Sequence, residues 1–423
     1  MQILLPYGKS HLTSILPDDW DVRVVAHKPL NTPCDEQETV KLALHAPHGG
    51  KLLRAQARGK RTACIITSDH TRPVPSRITL PLLLSELRAE NPDIQITILI
   101  ATGCHRACTH GELMDKFGED LLHSETFLIH DCDDSKSMRF AGILPSGGEL
   151  WLNKAAMDAD LLLAEGFIEP HFFAGFSGGR KSVLPGVAAR KTVLYNHNSS
   201  FIQHECARAG CLIGNPIHED MAAAAKMANL TFILNVILDE QKRIAAAFAG
   251  EPETAHAAGC AFLADHAGLP ISQTPLVLTT NGGYPLDQNL YQCVKGLATA
   301  EQFCTDDGVI ILAAACEDGL GGDSFYKTMA GALTPSSLLN KIVEIPADQT
   351  REDQWQYQIL ARILLHKRVI LITDERLRDS IERMHMQYAD TIEEAFAKAE
   401  IWQGKCKRIT VIPDGVGVYA TSE

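Results

Sequence analysis

Residues 64–101 read CIITSDHTRPVPSRITLPLLLSELRAENPDIQITILIA, and three pieces of this stretch decide the fold. Cys64–Ser68 is a short uncharged run rich in β-branched residues, the pattern of a strand covered on both faces. Residues 78–90 return apolar side chains at three- and four-residue spacing, which predicts a helix. Ile96–Ala101 is a second apolar run. Strand, helix and strand in so short a span form the βαβ unit of a parallel sheet.

Outward from this unit the same alternation continues. Candidate strands follow at 126–129 and 160–164, and 230–238 with 243–249 predicts a hairpin closed by the polar residues 239–242. A second series occupies 275–280, 309–315, 369–373 and 408–412, separated by helical stretches around 287–300, 336–345 and 392–401. The expected fold class is therefore α/β, with two α/β lobes built on mainly parallel sheets. A length of 423 residues suits two sizeable domains. The segment 256–273, with Gly268, Pro270 and Ser272, is the expected boundary. It divides an N-terminal unit, 1–265, from a C-terminal unit, 275–423. The last strand, about 407–413, is a candidate to pack back on the first unit.

Composition removes several classes of function. The net charge is −13, and an acidic chain repels a phosphate backbone, so no nucleic-acid partner is expected. Apolar stretches such as Val309–Cys316 end after about eight residues, short of the ~18 that a membrane span requires. The start MQILLPYGKS lacks the basic and long apolar segments of a secretory signal. Twelve cysteines without a CxxC pair read as reduced thiols of a cytoplasmic protein. They offer no zinc ribbon.

Ligands of open parallel sheets bind beyond the carboxyl ends of the strands, so the chemistry is sought in those loops. Asp69-His-Thr-Arg72-Pro follows the first strand, and Thr102-Gly-Cys-His105-Arg the second. Glu165-Gly-Phe-Ile-Glu-Pro-His171 leads into Gly175-Phe-Ser177-Gly178-Gly179-Arg-Lys181-Ser182. That glycine run approaches GxxxxGK[ST], but Arg180 stands where the pattern needs glycine, which argues against a nucleoside triphosphatase. Two readings of it remain: a plain turn, or a loop whose amides and Ser177 or Ser182 hydroxyls approach a phosphate-bearing ligand, with Lys181 as cation or nucleophile. His105, His171 and His197 lie near separate strand exits, and imidazole suits either proton transfer or ligation of Zn, Ni, Cu or Fe. His110, His123, His130 and His204 are read as structural. In the second unit Asp287 is expected to cap the next helix, on which Gln292 and Lys295 share one face. Gly319-Leu-Gly-Gly322 is read as a turn.

Taken together, Asp69-x-x-Arg72-Pro, Gly103-Cys-His105-Arg, Pro170-His171 with Ser177-Gly-Gly-Arg-Lys181, Asn196-His197 and Gln292-x-x-Lys295-Gly resemble the lactate racemase family that uses the nickel-pincer nucleotide. The motifs run in order from Asp69 to Trp355. The resemblance implies a bilobal isomerase with its active site in the cleft between the lobes. Its cofactor would be a pyridinium mononucleotide with two sulfur arms, attached covalently to Lys181, with nickel ligated by His197. It implies His105 and His171 as paired acid and base, and Arg72, Gln292 and Lys295 as carboxylate-binding groups. Asp69, Arg72, Ser177, Gly178, Gly179 and Trp355 would sit around the cofactor. The partners implied are a small 2-hydroxy acid substrate and the separate proteins that synthesise the cofactor.

Elementary chemistry agrees with that assignment. A racemase must treat both faces of one carbon, which two imidazoles can do at neutral pH. The hydrogen on C2 of a 2-hydroxy acid is too weak an acid for imidazole, so hydride transfer to a cofactor is expected. The alternatives are a nicotinamide-type oxidoreductase and a non-catalytic binder of a phosphorylated ligand. The first would need a strand running into GxGxxG, and no such run is present.

Overall fold

The computed structural model describes residues 1–421. Two six-stranded sheets carry them. In chain order their strands are β1 (Asp21–Val24), β2 (Thr62–Ser68), β3 (Gln95–Ala101), β4 (Thr126–Ile129), β5 (Leu161–Phe167), β6 (Leu230–Leu238), β7 (Ile244–Gly250), β8 (Thr274–Thr280), β9 (Cys304–Ala313), β10 (Arg368–Ile372), β11 (Gln387–Ala389) and β12 (Arg408–Ile412). The first sheet has the order β7-β6-β5-β2-β3-β4 and the second β11-β10-β9-β8-β12-β1. Every neighbouring pair is parallel except the expected hairpin of β6 and β7.

The uncharged runs become central strands because both faces are covered. In β2, Cys64 and Ile66 face one apolar cluster while Ala63 and Ile65 face another. The second sheet repeats this, with Val277 on one side and Leu276 and Leu278 on the other. The helix Ser76–Ala89 buries Leu80, Leu83, Leu84 and Leu87, the three- and four-residue stripe that predicted it. Ile65 is fully buried, and trimming such a side chain to alanine costs about 2–5 kcal/mol.

Two expectations about the division of the chain are overturned. Residues 1–25 do not belong with the first sheet. Strand β1 pairs with β12 in the second, and the hairpin of Gln2–Tyr7 with Ser10–Ile15 sends Ile3 and Leu5 into the second sheet's core. Nor does the strand near 407–413 return to the first lobe. It inserts between β8 and β1, where Ile409 and Val411 join the same core as Leu276. A third correction is local. Asn289, not Asp287, caps the helix Leu290–Phe303 through a 3.0 Å bond from the Gln292 amide. Asp287 instead accepts from the amides of Gly8 (2.7 Å) and Ala315 (3.1 Å).

The strand orders place the working loops. In the first sheet β3 and β5 flank β2, so the chain leaves β2 and β5 on opposite sides and opens a crevice at their carboxyl ends. Asp69 and Arg72 follow β2, and His171 and Lys181 follow β5. In the second sheet β9 and β12 flank β8 in the same way. The helix after β8 carries Gln292 and Lys295. Among the described residues no helix is long and apolar enough to cross a membrane.

Candidate active site

The exit loop of β2 is built around the Asp69 carboxylate. One oxygen lies 2.7 Å from His105 Nδ1, while the other accepts from the Thr71 amide (3.0 Å) and hydroxyl (2.5 Å). The Thr71 hydroxyl in turn accepts from the Arg72 guanidinium at 2.9 Å. From the helix His110–Phe117, Lys116 donates to the Arg72 carbonyl at 2.9 Å and holds the loop from behind. Burial alone would raise the Asp69 carboxyl. The bond and charge of His105, the charge of Arg72 and the Thr71 bond outweigh it and hold the group well below the usual carboxylate range. An ionised Asp69 keeps the His105 hydrogen on Nδ1 and leaves Nε2 with a free lone pair.

His171 is set differently. Its ring stacks on Phe172 (5.1 Å between centroids) and meets Phe173 edge-on (4.5 Å), and its Nδ1 accepts from the Ala174 amide at 3.3 Å. Burial, followed by the charges of Lys181, Lys295, Arg72 and His197, pushes it well below the ordinary imidazole range. It is neutral at physiological pH.

The glycine-rich loop bends where only glycine fits. Gly178 has φ +78°, and a Cβ there would stand 2.7 Å from Asn235 Oδ1 and 2.9 Å from the Phe167 carbonyl. Some groups expected to face a ligand are used inside the loop. The Ser177 hydroxyl donates to Phe167 O and accepts from the Glu169 amide, both at 2.9 Å, and the Gly179 amide donates to Asn235 (2.8 Å). Arg180 is buried among the carbonyls of Ala174 (2.7 Å), Gly178 (3.2 Å) and Ser177 (3.4 Å) and the imidazoles of His218 (2.9 Å) and His256 (3.0 Å). None of these partners is acidic. Its charge therefore reaches Lys181, whose amine burial and the charges of Arg180, Arg72 and Lys295 push well below the ordinary lysine range.

His197 ends the helix Arg190–Asn196. Its Nδ1 lies 2.9 Å from the Val193 carbonyl, which fixes the hydrogen there and leaves Nε2 bare. Phe173 and Trp355 meet the ring edge-on at 5.1 and 5.0 Å. Burial and the Lys181 charge lower it to about 3. Trp355 comes from the helix Gln354–His366 of the second lobe. Lys295 is lowered to about 8 by burial and then by Arg72, which faces it from the other lobe.

These groups surround one cavity of about 260 Å³. Asp69, Arg72, His105, His171, Lys181 and His197 line it from the first lobe, and Gln292, Lys295 and Trp355 from the second. Ser177 and Gly178 also reach it, whereas Gly179 packs against His256 instead. The chemistry available is proton transfer at two imidazoles, capture of an anion between two cations, and covalent attachment at a lysine amine whose pKa is depressed.

Three contributors escaped the sequence reading. Thr71 and Lys116 brace the Arg72 loop. Glu165 lines the cavity as a buried carboxylate that accepts from Thr67 (2.5 Å), Ser76 (2.6 Å) and Thr79. A lone acid near the end of an apolar strand was the available signal for Glu165. Of the histidines read as structural, His130 is indeed buried between Ala188 O (3.1 Å) and Asn153 (3.2 Å).

Comparison with known proteins identifies the family. Residues 7–210 match the lactate racemase N-terminal domain and residues 270–420 the lactate racemase C-terminal domain. The chain is 51% identical over 418 residues to a lactate racemase of Thermoanaerobacterium thermosaccharolyticum, and 48% identical over 416 residues to one of Lactiplantibacillus plantarum. Each alignment covers 98% of both chains. The fold superposes on the lactate racemase apoprotein of T. thermosaccharolyticum with a TM-score of 0.97, at 50% identity and over the whole of both chains. A Thermotoga maritima protein, 19% identical, shares the fold at a TM-score of 0.68, covering 91% of this chain and 98% of that one. The chain is thus an isomerase and belongs to the lactate racemase family.

Proposed function

We propose that this protein inverts C2 of lactate or a similarly small 2-hydroxy carboxylate. His105 and His171 serve as its proton-transfer pair, and a nickel-pincer nucleotide cofactor is joined to Lys181. The reading is supported most by one observation: two imidazoles and two cations from opposite lobes converge on a single small cavity. A 260 Å³ space lies just below the ~300–1,000 Å³ of sites for drug-sized ligands, which suits a small acid beside a flat ring.

The residues present fit such a cofactor. An amine that forms a covalent bond must be neutral and within reach, and Lys181 is depressed and lines the cavity. His197 offers one bare nitrogen held in place by Val193 O. One imidazole is too few donors for a divalent ion, and sulfur from the cofactor would complete a set suited to nickel. When bound, the cofactor supplies the electron-poor centre that takes and returns the C2 hydride.

The protein's own groups do the rest. Arg72 and Lys295 hold the carboxylate between the lobes, with Gln292 beside Lys295 on the same helix face. A docked carboxylate offsets two of the charges that keep His171 neutral. Substrate binding itself thereby prepares that ring to accept a proton. His105, with its lone pair on Nε2 and Asp69 behind Nδ1, takes the hydroxyl proton of one enantiomer, and His171 serves the other face. After oxidation the flat 2-oxo acid turns its carbonyl while its carboxylate stays anchored. The second imidazole then protonates the oxygen. The cofactor has to come from separate synthesis proteins, so loading requires cells that make it.

The test is C2-deuterated lactate with cofactor-loaded enzyme in ordinary water. Inversion with the deuterium largely kept is expected. Rapid wash-out would establish carbanion chemistry instead, and no turnover on lactate, malate or a sugar acid would leave a binding protein.

A further inference from the structure

Outside the reaction cavity, one group of side chains has the donor set of a transition-metal site. His70 follows Asp69 at the exit of β2. Cys108 stands just before Thr109, the N-cap of the helix His110–Phe117 that follows β3, and Glu112 lies in the first turn of that helix. His70 Nδ1 is 3.4 Å from Cys108 Sγ, and its Nε2 is 3.4 Å from Glu112 Oε1. One donor atom from each residue lies within 4.8 Å of the other two. None of the three lines the reaction cavity.

We propose that His70, Cys108 and Glu112 form a second divalent-metal site of the zinc type, which ties the loop carrying Asp69 and Arg72 to the loop carrying His105. With Zn–N of ~2.0–2.1 Å and Zn–S of ~2.3 Å, two tetrahedral ligands stand roughly 3.5 Å apart. The His70 Nδ1–Cys108 Sγ separation of 3.4 Å is already close to that, so Nδ1 is the ligating nitrogen, and the Glu112 carboxylate, now against Nε2, turns toward Nδ1 when the ion binds. Thiolate, imidazole and carboxylate together favour a borderline ion over calcium or magnesium.

The protonation states leave one step to complete. His70 is lowered by burial, against the pull of Asp69 and Glu112, and so is neutral, as a ligand must be. Glu112 is lowered to about 2, first by its bond to Arg106, and so is ionised. Only the Cys108 thiol, raised by burial, has a proton to release. On binding, the S–H bond breaks, its proton passes to solvent, and the sulfur lone pair forms the metal bond. Arg106 now covers Glu112 with bonds of 2.8 and 2.5 Å, but its side chain is 60% exposed. The divalent ion replaces its charge, and Arg106 is free to swing into water. Glu112 keeps the Thr109 amide at 2.7 Å. The other groups facing the site are Asp69, His105 and Lys116.

The test uses the reduced, cofactor-free full-length protein, so its outcome is separate from that of the racemase reading. Titration with Co²⁺ is expected to reach one equivalent with thiolate-to-metal absorption in the near ultraviolet, and Zn²⁺ should bleach it. Cys108→Ser should abolish the band, and Cys132→Ser, in the separate Asp131-Cys132-Asp133 cluster, should leave it. His70→Ala should weaken binding by more than about tenfold, since losing even an outer-shell partner costs ~10–100-fold. Arg106→Gln should tighten it by removing the competing cation. Without any variant, one equivalent of Zn²⁺ should protect Cys108 selectively from alkylation mapped by peptide mass. Absence of the band, its survival in Cys108→Ser, or alkylation of Cys108 unaffected by Zn²⁺ would each overturn the proposal.

Discussion

Asp69→Asn removes one charge from the cavity and changes little else in shape. In the native protein a 2.7 Å bond joins His105 Nδ1 to an ionised carboxylate, and in the proposed mechanism this bond fixes the ring's tautomer and would stabilise the protonated ring. A hydrogen bond to a charged partner is worth about 1.5–3 kcal/mol. At 1.36 kcal/mol per tenfold, that is roughly a 10- to 150-fold loss in rate. An asparagine that turns its NH₂ toward His105 would reverse the tautomer and place the variant at the lower end of activity. Because the two enantiomers are equal in free energy, both directions must slow by the same factor. Lactate affinity should change little, since Arg72 and Lys295 remain. The assay follows optical rotation or coupled detection of each enantiomer on enzyme whose Lys181 adduct has been confirmed by intact mass. A loaded Asp69→Asn enzyme running within a factor of two of the native rate would refute the pairing of Asp69 with His105 as part of the machinery. The same carboxylate adds acid sensitivity. Its folded-state pKa is depressed, so its stabilisation is complete above the ordinary aspartate value and is lost as pH falls toward the folded one.

Lys295, at about 8, carries its charge below that pH and loses it above. KM for lactate should therefore rise as pH passes through about 8, and Lys295→Arg, whose guanidinium does not titrate there, should flatten the profile. His197→Ala should leave the Lys181 mass adduct in place but remove nickel, which metal analysis of the native holoenzyme should find at about one per chain. Arg180→Met removes the donor to His218 Nδ1 in a buried setting, while the carbonyls of Ala174, Gly178 and Ser177 keep the Phe176 amide (3.0 Å), the Lys181 amide (3.1 Å) and His256 Nε2 (2.8 Å). At about 1–3 kcal/mol for that one unsatisfied group, it should lower stability by at least about 1 kcal/mol, read from the denaturant midpoint. An unchanged midpoint would mean that water takes over the bond to His218.

The two α/β units were legible because their central strands are uncharged runs, and such runs are stable only where helices cover both faces of a sheet. The candidate site was legible to the extent that strand ends carry the chemistry: His105, His171, Lys181 and His197 all follow strands that the alternation located. The partnerships were not, because they join residues far apart in the chain. Nothing in a stretch around Asp69 announces that its carboxylate belongs to an imidazole 36 positions on. The chain division failed for a related reason. β1 is four half-exposed residues, indistinguishable from a loop until β12 arrives almost four hundred residues later to pair with it. Asp287 and Asn289 both stand before the same helix with side chains able to cap it. The choice between them was made by the amides of Gly8 and Ala315, one from the N-terminal hairpin and one from β9's exit, which claim the aspartate and leave the cap to asparagine. Asp287 thereby joins the N-terminal hairpin to the end of β9, next to the helix that carries Gln292 and Lys295. The first residues of the chain, which the sequence reading assigned to the first lobe, thus help to place the second lobe's half of the proposed carboxylate clamp.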